Sequence, residues 1–281
     1  MDTFNITIIG GDLAQRLSLL VTAAFFALSA IPIFLWLRER ARPQPLPAGK
    51  SYAAVGFERL WNTFRAARHY GEFLKFMISF LIYNDGIITV LNFGAIIGAV
   101  LFGLDQQMLL FFVLLILVMN GVGSFVFGFL ADRTGCKGAL AVSLLMMLGV
   151  IAWLYFTQSQ VAFFVIGALA GFAMAGAQSV SRTMVAVLAP SGQSAEFYGL
   201  FAVVGRTSSF IGPAIYGWLA AEAALWFQAQ GRDAMSAEQA GQRLAVLSIG
   251  AFLLVGLVLL SRVDERRGRQ AAVEASQGRA S

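Results

Sequence analysis

Seven long runs of apolar residues divide the sequence, and each is about as long as a helix needs to be to cross a membrane. Such a helix takes about 20 consecutive, mainly apolar residues. Inside hydrocarbon the backbone N–H and C=O groups have no water partners, so each run has to satisfy them internally as a helix. We therefore predict an all-α, polytopic membrane helical bundle with seven spans, at residues 17–37, 73–101, 108–130, 139–156, 161–180, 197–219 and 244–260.

These runs divide the chain into four predicted regions. Residues 1–37 hold an outer segment and the first span, and the outer segment lacks the basic start of a cleaved secretory signal. Residues 38–71 form a proline-rich cytoplasmic linker and an amphipathic helix on the membrane surface. Residues 72–260 form a six-helix bundle, with a short interfacial helix expected within 220–243. Residues 261–281 form an arginine-rich cytoplasmic tail that we expect to be disordered.

The basic residues indicate which way the bundle faces. Of the 20 Lys and Arg residues, fifteen fall on one side of the seven predicted spans, three on the other and two within spans. Loops rich in Lys and Arg stay in the cytoplasm, so we predict an outer N-terminus and a cytoplasmic C-terminus. In a membrane protein the location of the basic residues matters more than the net charge of +5. We expect membrane lipids as partners and no nucleic acid.

A short charged turn separates the third and fourth predicted spans. Residues 128–137 give the pattern Gly-x-x-x-Asp-Arg-x-Gly-x-Lys on the predicted cytoplasmic side. This pattern is similar to the signature loop of the major facilitator superfamily. Five further segments join it, and the set resembles the branch of vacuolar effluxer-like transporters related to the autophagy permease that exports amino acids. These segments are 80–86, 176–182, 196–199, 211–213 and 262–265.

The resemblance implies a secondary active transporter that exports a small polar solute, such as an amino acid, by alternating access. It also implies about twelve spans in two halves. The seven runs here align with spans six to twelve, so we expect a truncated chain that lacks the first five, with a separate chain as the alternative source of the N-terminal half. The isolated chain is then not expected to complete alternating access. The implied location is the bacterial cytoplasmic membrane.

Two charged residues lie inside predicted spans and are the sharpest site candidates. Asp85 and Arg206 each fall about ten residues into a span, at a shared depth of roughly 15 Å. Charges there usually face a cavity or a partner. We predict that they pair across the central cavity in a substrate or proton site, with a purely structural ion pair as the alternative.

Polar uncharged residues within the spans form a second set of candidates. Tyr83, Asn84 and Gln178 are predicted to contribute to solute binding. The alternative for them, and the stronger one for Asn92 and Asn120, is an interhelical hydrogen bond.

The charged turn is predicted, by the resemblance, to form part of a latch on the inner gate. Asp132 is expected to contact Arg182, with Glu196 close by. The alternative is a solvated loop that only follows the positive-inside rule. Four further residues of the turn belong to the predicted gate, with the glycines allowing a sharp turn and close approach of helices. They are Gly128, Arg133, Gly135 and Lys137.

Two other features concern packing. Gly167, Gly171 and Gly176 give the fifth span a small-residue stripe that indicates tight helix packing rather than a site. Pro213 is expected to kink the sixth span.

Other classes of protein fit the residues less well. The single histidine, His69, and the absence of metalloprotease, Gly-x-Gly-Asp and Walker motifs argue against an enzyme, and we expect no metal or cofactor. A seven-span receptor or retinal-type protein matches the span count, but the last span has no lysine to hold retinal. A half-transporter scaffold that assembles with a separate chain is the remaining alternative.

Overall fold

The computed structural model describes residues 3–36, 51, 55–56, 65, 70–190, 192–207 and 209–277. Within these ranges it contains nine α-helices and no strand. Seven stretches are long and apolar enough to cross a membrane, with α6 and α7 together forming one of them. The predicted all-helical bundle is therefore confirmed. The helices are α1 (Thr3–Trp36), α2 (Gly71–Phe102), α3 (Gln106–Thr134), α4 (Cys136–Phe156), α5 (Gln160–Leu188), α6 (Ser194–Thr207), α7 (Ile211–Ala229), α8 (Ala234–Ser261) and α9 (Glu265–Gln277).

The chain divides into two compact units, Met1–Tyr52 and Ala53–Ser281. In the first unit, α1 exposes nearly every described side chain from Arg16 onward, including Phe34 at 85%. A helix of this composition with no buried stripe is suited to hydrocarbon, since lipid can cover all of its faces. The predicted surface helix, around residues 57–64, lies outside the described residues.

Short polar signals in the loops set several helix ends of the second unit. Asp105, Ser159 and Asp233 precede α3, α5 and α8, and each side chain accepts a hydrogen bond from a backbone N–H in the first turn. Such caps satisfy backbone donors that have no partner within the helix. Gly103 ends α2 in a left-handed conformation with φ of 62°, which glycine adopts without steric cost. These caps mark where α3, α5 and α8 begin and where α2 ends.

α2 is the helix around which the polar site is built. It packs along α8 and also contacts α3, α5, α6, α7 and α9, while α4 contacts α3, α5 and α8. Its buried aromatic side chains include Phe73, Phe76 and Tyr83, each at most 1% exposed. Gln239 on α8 donates to the carbonyl of Val100 on α2 at 3.0 Å. The core of this unit therefore surrounds α2 on several sides.

The predicted tight packing of the fifth span is confirmed where α5 meets α3. A Cβ built at Gly171 would lie 2.8 Å from the carbonyl oxygen of Ile116, and one at Gly176 would lie 2.4 Å from the ring of Phe127. On α3, a Cβ at Gly123 would lie 2.3 Å from the carbonyl oxygen of Phe172. These glycines let the two backbones approach to a distance that no side chain would allow.

The structure corrects the predicted sixth span. The helix is interrupted between Thr207 and Ile211, and Pro213 sits in the first turn of α7, where its missing N–H leaves no helical hydrogen bond unmade. α7 then continues to Ala229, so Trp226 and Phe227 belong to its last turns and not to a separate interfacial helix. The glycine–proline pair therefore begins a helix instead of kinking one.

The predicted disorder of the tail does not hold for residues 265–277, which form α9. Two small residues allow this helix to dock across the ends of α2 and α5, because Gly268 and Ala272 are buried. A Cβ at Gly268 would lie 2.3 Å from the Leu188 side chain of α5 and 3.1 Å from Glu72 of α2. The three arginines within this helix, Arg266, Arg267 and Arg269, are exposed on its other faces.

Candidate functional site

Five buried polar side chains project from the middle of α2 into its neighbours. Ser79 donates to the carbonyl of Gly256 on α8 at 2.8 Å. Tyr83 shares a hydrogen bond of 2.7 Å with Ser181 on α5, and Asn84 donates to the carbonyl of Gly205 on α6 at 3.4 Å. α2 therefore carries a polar row that links three other helices. The row is Ser79, Tyr83, Asn84, Asp85 and Thr89.

Asp85 is the member of this row whose hydrogen bonding is incomplete. Its side chain is 2% exposed, yet Oδ1 has no hydrogen-bond partner among the described residues. Thr89 does not supply one, because its hydroxyl donates to the backbone carbonyl of Asp85 at 2.7 Å. An unsatisfied buried polar atom costs about 1–3 kcal/mol. A carboxylate oxygen without a partner can accept a hydrogen bond, and a carboxyl group can also take up a proton.

The first turn of α7 closes over Asp85. A Cβ built at Gly212 would lie 3.0 Å from Asp85 Oδ1 and 2.5 Å from Thr89 Oγ1, so glycine alone fits between these groups. The N-terminus of a helix carries a partial positive charge that favours a nearby carboxylate. Gly212 belongs to segment 211–213, one of the segments on which the resemblance rests. Its position against Asp85 follows only from the fold.

The other site residues predicted from the sequence differ in how far they are buried and do not all lie beside Asp85. Arg206 is exposed near the end of α6 and forms no ion pair with Asp85 in the described part of the chain. The predicted pairing is therefore not present, because one partner faces outward and the other is buried. Tyr83 is fully buried between α2 and α5, and Gln178 is half-buried on α5.

The charged turn between α3 and α4 is fastened by a residue that the sequence interpretation did not select. The carboxylate of Glu265 accepts from the backbone N–H of Cys136 at 3.2 Å and from that of Lys137 at 2.8 Å. Gly135 has φ of 83° and lies against this carboxylate. The first N–H groups of α4 thus bind an anion as the free N-terminus of a helix does.

The segment between α8 and α9 is held from two directions. Lys137 donates from Nζ to the carbonyls of Ser261 and Val263, at 2.8 and 2.6 Å. Glu72, at the start of α2, accepts from the backbone N–H of Asp264 at 2.6 Å. The backbone N–H of Arg267, together with its nearby guanidinium, holds the pKa of Asp264 below its ordinary value. The turn, the start of α2 and residues 261–265 form one polar network at what we call the motif end of the bundle.

The Asp132 to Arg182 ion pair expected in the predicted latch is absent from the described residues. Asp132 and Arg182 are both exposed and make no ion pair with each other. Glu196 lies half-buried in the first turn of α6, and Arg133 stacks over the ring of Phe129 at 4.1 Å. A Cβ at Gly128 would meet open space, so only Gly135 has the structural role expected of the two glycines.

Glu72 and Glu265 are absent from the residues predicted from the sequence, although their positions in the sequence hold a signal. Glu265 ends one of the segments that support the resemblance, residues 262–265, and both glutamates flank apolar spans. No group of three or more His, Cys, Asp and Glu side chains that could hold a metal occurs in the described ranges.

Comparison with known proteins gives consistent likenesses. Residues 5–273 match the family described as Vacuole effluxer Atg22 like. The uncharacterized MFS-type transporter YxiO of Bacillus subtilis is 26% identical over 253 residues, which covers 90% of this chain and 54% of the relative. Autophagy-related protein 22-1 of Aspergillus niger is 25% identical over 284 residues, covering 93% of this chain and 43% of the relative.

A solved structure shares the fold. It is a bacterial homologue of the human lysosomal transporter Spinster, in an inward-facing and unoccupied conformation. The TM-score is 0.61 at 16% sequence identity, over 92% of this chain and 60% of that chain. This chain spans about half the length of the curated relatives described above.

Proposed function

The chain belongs to the vacuole effluxer Atg22-like family of MFS-type membrane transporters, and from that membership we propose that it serves the secondary active export of a small polar solute, with amino acids as the first candidates. Transport in this superfamily proceeds by alternating access around a site near the middle of the membrane. The helices α2 to α8 supply one bundle for that movement. The word effluxer in the family description supports the direction, and the word transporter in the name of the Bacillus subtilis relative supports the class.

Asp85 carries this proposal. It lies near the middle of the 32-residue helix α2, and one oxygen of its buried carboxyl has no partner among the described residues. Ionisable groups at this depth in a membrane are costly, and they usually mark substrate or proton pathways. Asp85 is therefore proposed as the proton-coupling or solute-binding group, with Asn84 beside it.

Arg206 and Gln178 stay in the proposal with different roles. Arg206 is exposed near the helix break at 207–211, so it is available to the carboxylate of an amino-acid solute without first leaving an ion pair with Asp85. Gln178 is half-buried on α5, the helix that also holds the partner of Tyr83. Tyr83 is proposed to position α2, since its hydroxyl is fully buried.

The chain is a multi-pass integral membrane protein. The proposed location is the cytoplasmic membrane of a bacterium, with the motif end and α9 on the cytoplasmic side. The surplus of Lys and Arg at that end supports this orientation.

Solute binding by the purified chain tests the proposal. Thermal unfolding is measured with a panel of L-amino acids, because a ligand at 100 times its Kd stabilises the folded state by about 2.7 kcal/mol. We expect a rise in Tm with at least one amino acid, and no such rise for Asp85→Asn. The matched control is Asp105→Asn, in which asparagine still caps α3. A parental response from Asp85→Asn, or no response of the parent to any member of the panel, contradicts the proposal.

A further inference from the structure

A depression of ≈ 970 Å³ lies at the motif end, between the start of α2, the turn from α3 to α4, and residues 261–269. Its lining contains seven Lys and Arg side chains and three Asp and Glu side chains. An excess of four positive charges around one concave surface attracts anions. The solute site proposed at Asp85 lies within the span and does not use this surface.

The three acidic side chains of the depression are already engaged. Glu265 accepts from two backbone N–H groups of α4. Glu72 pairs with Lys75 at 2.7 Å and accepts from the backbone of Asp264. Asp264 pairs with Arg267 at 3.3 Å. The acidic groups therefore stabilise the fold of the depression and leave most of its positive charge uncompensated.

Four arginines supply that uncompensated charge. They are exposed, and none has a carboxylate within ion-pair distance in the described part of the chain. Guanidinium groups bind phosphate with two parallel hydrogen bonds, so this cluster matches a phosphate group. The four are Arg133, Arg262, Arg266 and Arg269.

An apolar groove of ≈ 270 Å³ opens from the same place. It lies between α4 and α8 and is lined by Ala141, Leu257, Val258 and Leu260, together with Lys137 and Ser261. Lys137, Ala141 and Ser261 also line the depression, so the basic and apolar surfaces are continuous. A free anion would need only the basic part, whereas a lipid would occupy both.

We propose that the depression and the groove together bind one anionic phospholipid. Its phosphate lies among Arg262, Arg266 and Arg269, and one acyl chain follows the groove between α4 and α8. The ends of α2, α3, α4 and α8 meet at this level, which is where a span meets the headgroups of the bilayer. Clusters of basic residues beside spans are a known basis for recognition of anionic lipids.

The first test measures lipid retention by the purified full chain with native mass spectrometry, after exposure to phosphatidylglycerol or phosphatidylcholine. We expect preferential retention of phosphatidylglycerol in the parent. The double variant Arg266→Gln/Arg269→Gln should reduce it by roughly tenfold or more, since two cations near an anionic headgroup are lost. The control Arg232→Gln removes an exposed charge from the loop between α7 and α8 and should retain the lipid as the parent does.

A second variant and a soluble anion separate a lipid from a free phosphate. Ala141→Phe fills the groove without removing a charge, and it should also lower retention of phosphatidylglycerol. Glycerol phosphate and inorganic phosphate should raise the Tm of the parent less than phosphatidylglycerol does at the same concentration. The proposal is overturned if the arginine double variant retains phosphatidylglycerol like the parent, if both lipids are retained equally, or if the soluble anions stabilise the parent as strongly as the lipid.

Discussion

Asp85 and Glu265 show how the same chemical group, a carboxyl, behaves in different surroundings. Glu265 accepts from the N-terminal N–H groups of α4, so each of its two oxygens has a hydrogen-bond partner. Asp85 is buried in a span and keeps one oxygen without a partner in the described ranges. Asp85 can be predicted as a site residue from the sequence, because a charged residue within a long apolar run stands out there. Glu265 cannot be predicted in this way, because its partners are backbone N–H groups 129 and 128 residues away along the chain.

Replacing Glu265 by alanine should loosen α9. A hydrogen bond to a charged group is worth about 1.5–3 kcal/mol, and the substitution removes the acceptor for Cys136 and Lys137. Hydrogen exchange of the α9 amides should accelerate, while exchange in the middle of α2 should stay slow. Glu274→Ala, an exposed change on the same helix, is the control. If both variants exchange like the parent, Glu265 does not hold the tail.

At the scale of elements, the long spans were predictable and their terminal turns were not. Apolar length defines α2 to α5 and α8, since hydrocarbon requires it. The break between α6 and α7 depends on whether Pro213 falls inside a helix or in its first turn, which hydropathy does not distinguish. Hydropathy predicts disorder for the tail, because its arginines lower the mean and only Gly268, Ala272 and a few apolar residues face the bundle.

The contact between α3 and α5 should tolerate no added methyl group at Gly123. A Cβ there would lie 2.3 Å from a backbone carbonyl of α5, and overpacking of this kind costs about 1–3 kcal/mol. Gly123→Ala should therefore lower the Tm of the purified protein. Gly121→Ala lies on the same helix, where an added Cβ meets no atom within 4 Å, and should leave the Tm unchanged. Equal Tm values for the two variants would count against the close approach of the helices.

At the scale of the whole molecule, family membership and the helical bundle follow from residues spread along the chain, whereas the direction of insertion rests on charge alone. The fifteen basic residues assigned to one side include Arg133 and Lys137 of the charged turn, Arg262 and the arginines of α9. If that end is cytoplasmic, the depression faces the leaflet whose anionic lipids it is proposed to bind. The transport proposal and the lipid proposal therefore both require the motif end to face the cytoplasm.

Orientation is measured by cysteine labelling in intact cells. Cys136 is the single native cysteine, so Cys136→Ser provides a background to which Arg232→Cys or Arg269→Cys is added. Both positions are exposed and they lie at opposite ends of the bundle. A membrane-impermeant maleimide should label Arg232→Cys at once and Arg269→Cys only after the cells are made permeable. The reverse order would show the opposite insertion.

The central claim is that Asp85 serves transport, and efflux from cells tests it most directly. A strain that lacks this protein is loaded with dipeptides, and export of the released amino acids is measured with and without the gene restored. The strain is the protein's own host, so that the second bundle required for alternating access is present. Export should return there with the parent and with Asp105→Asn, and should fall at least about tenfold with Asp85→Asn, the effect of about 1.4 kcal/mol on the transport barrier. Variant and parent are compared at equal amounts in the membrane. Export by Asp85→Asn at the parental rate across the pH range would contradict the account.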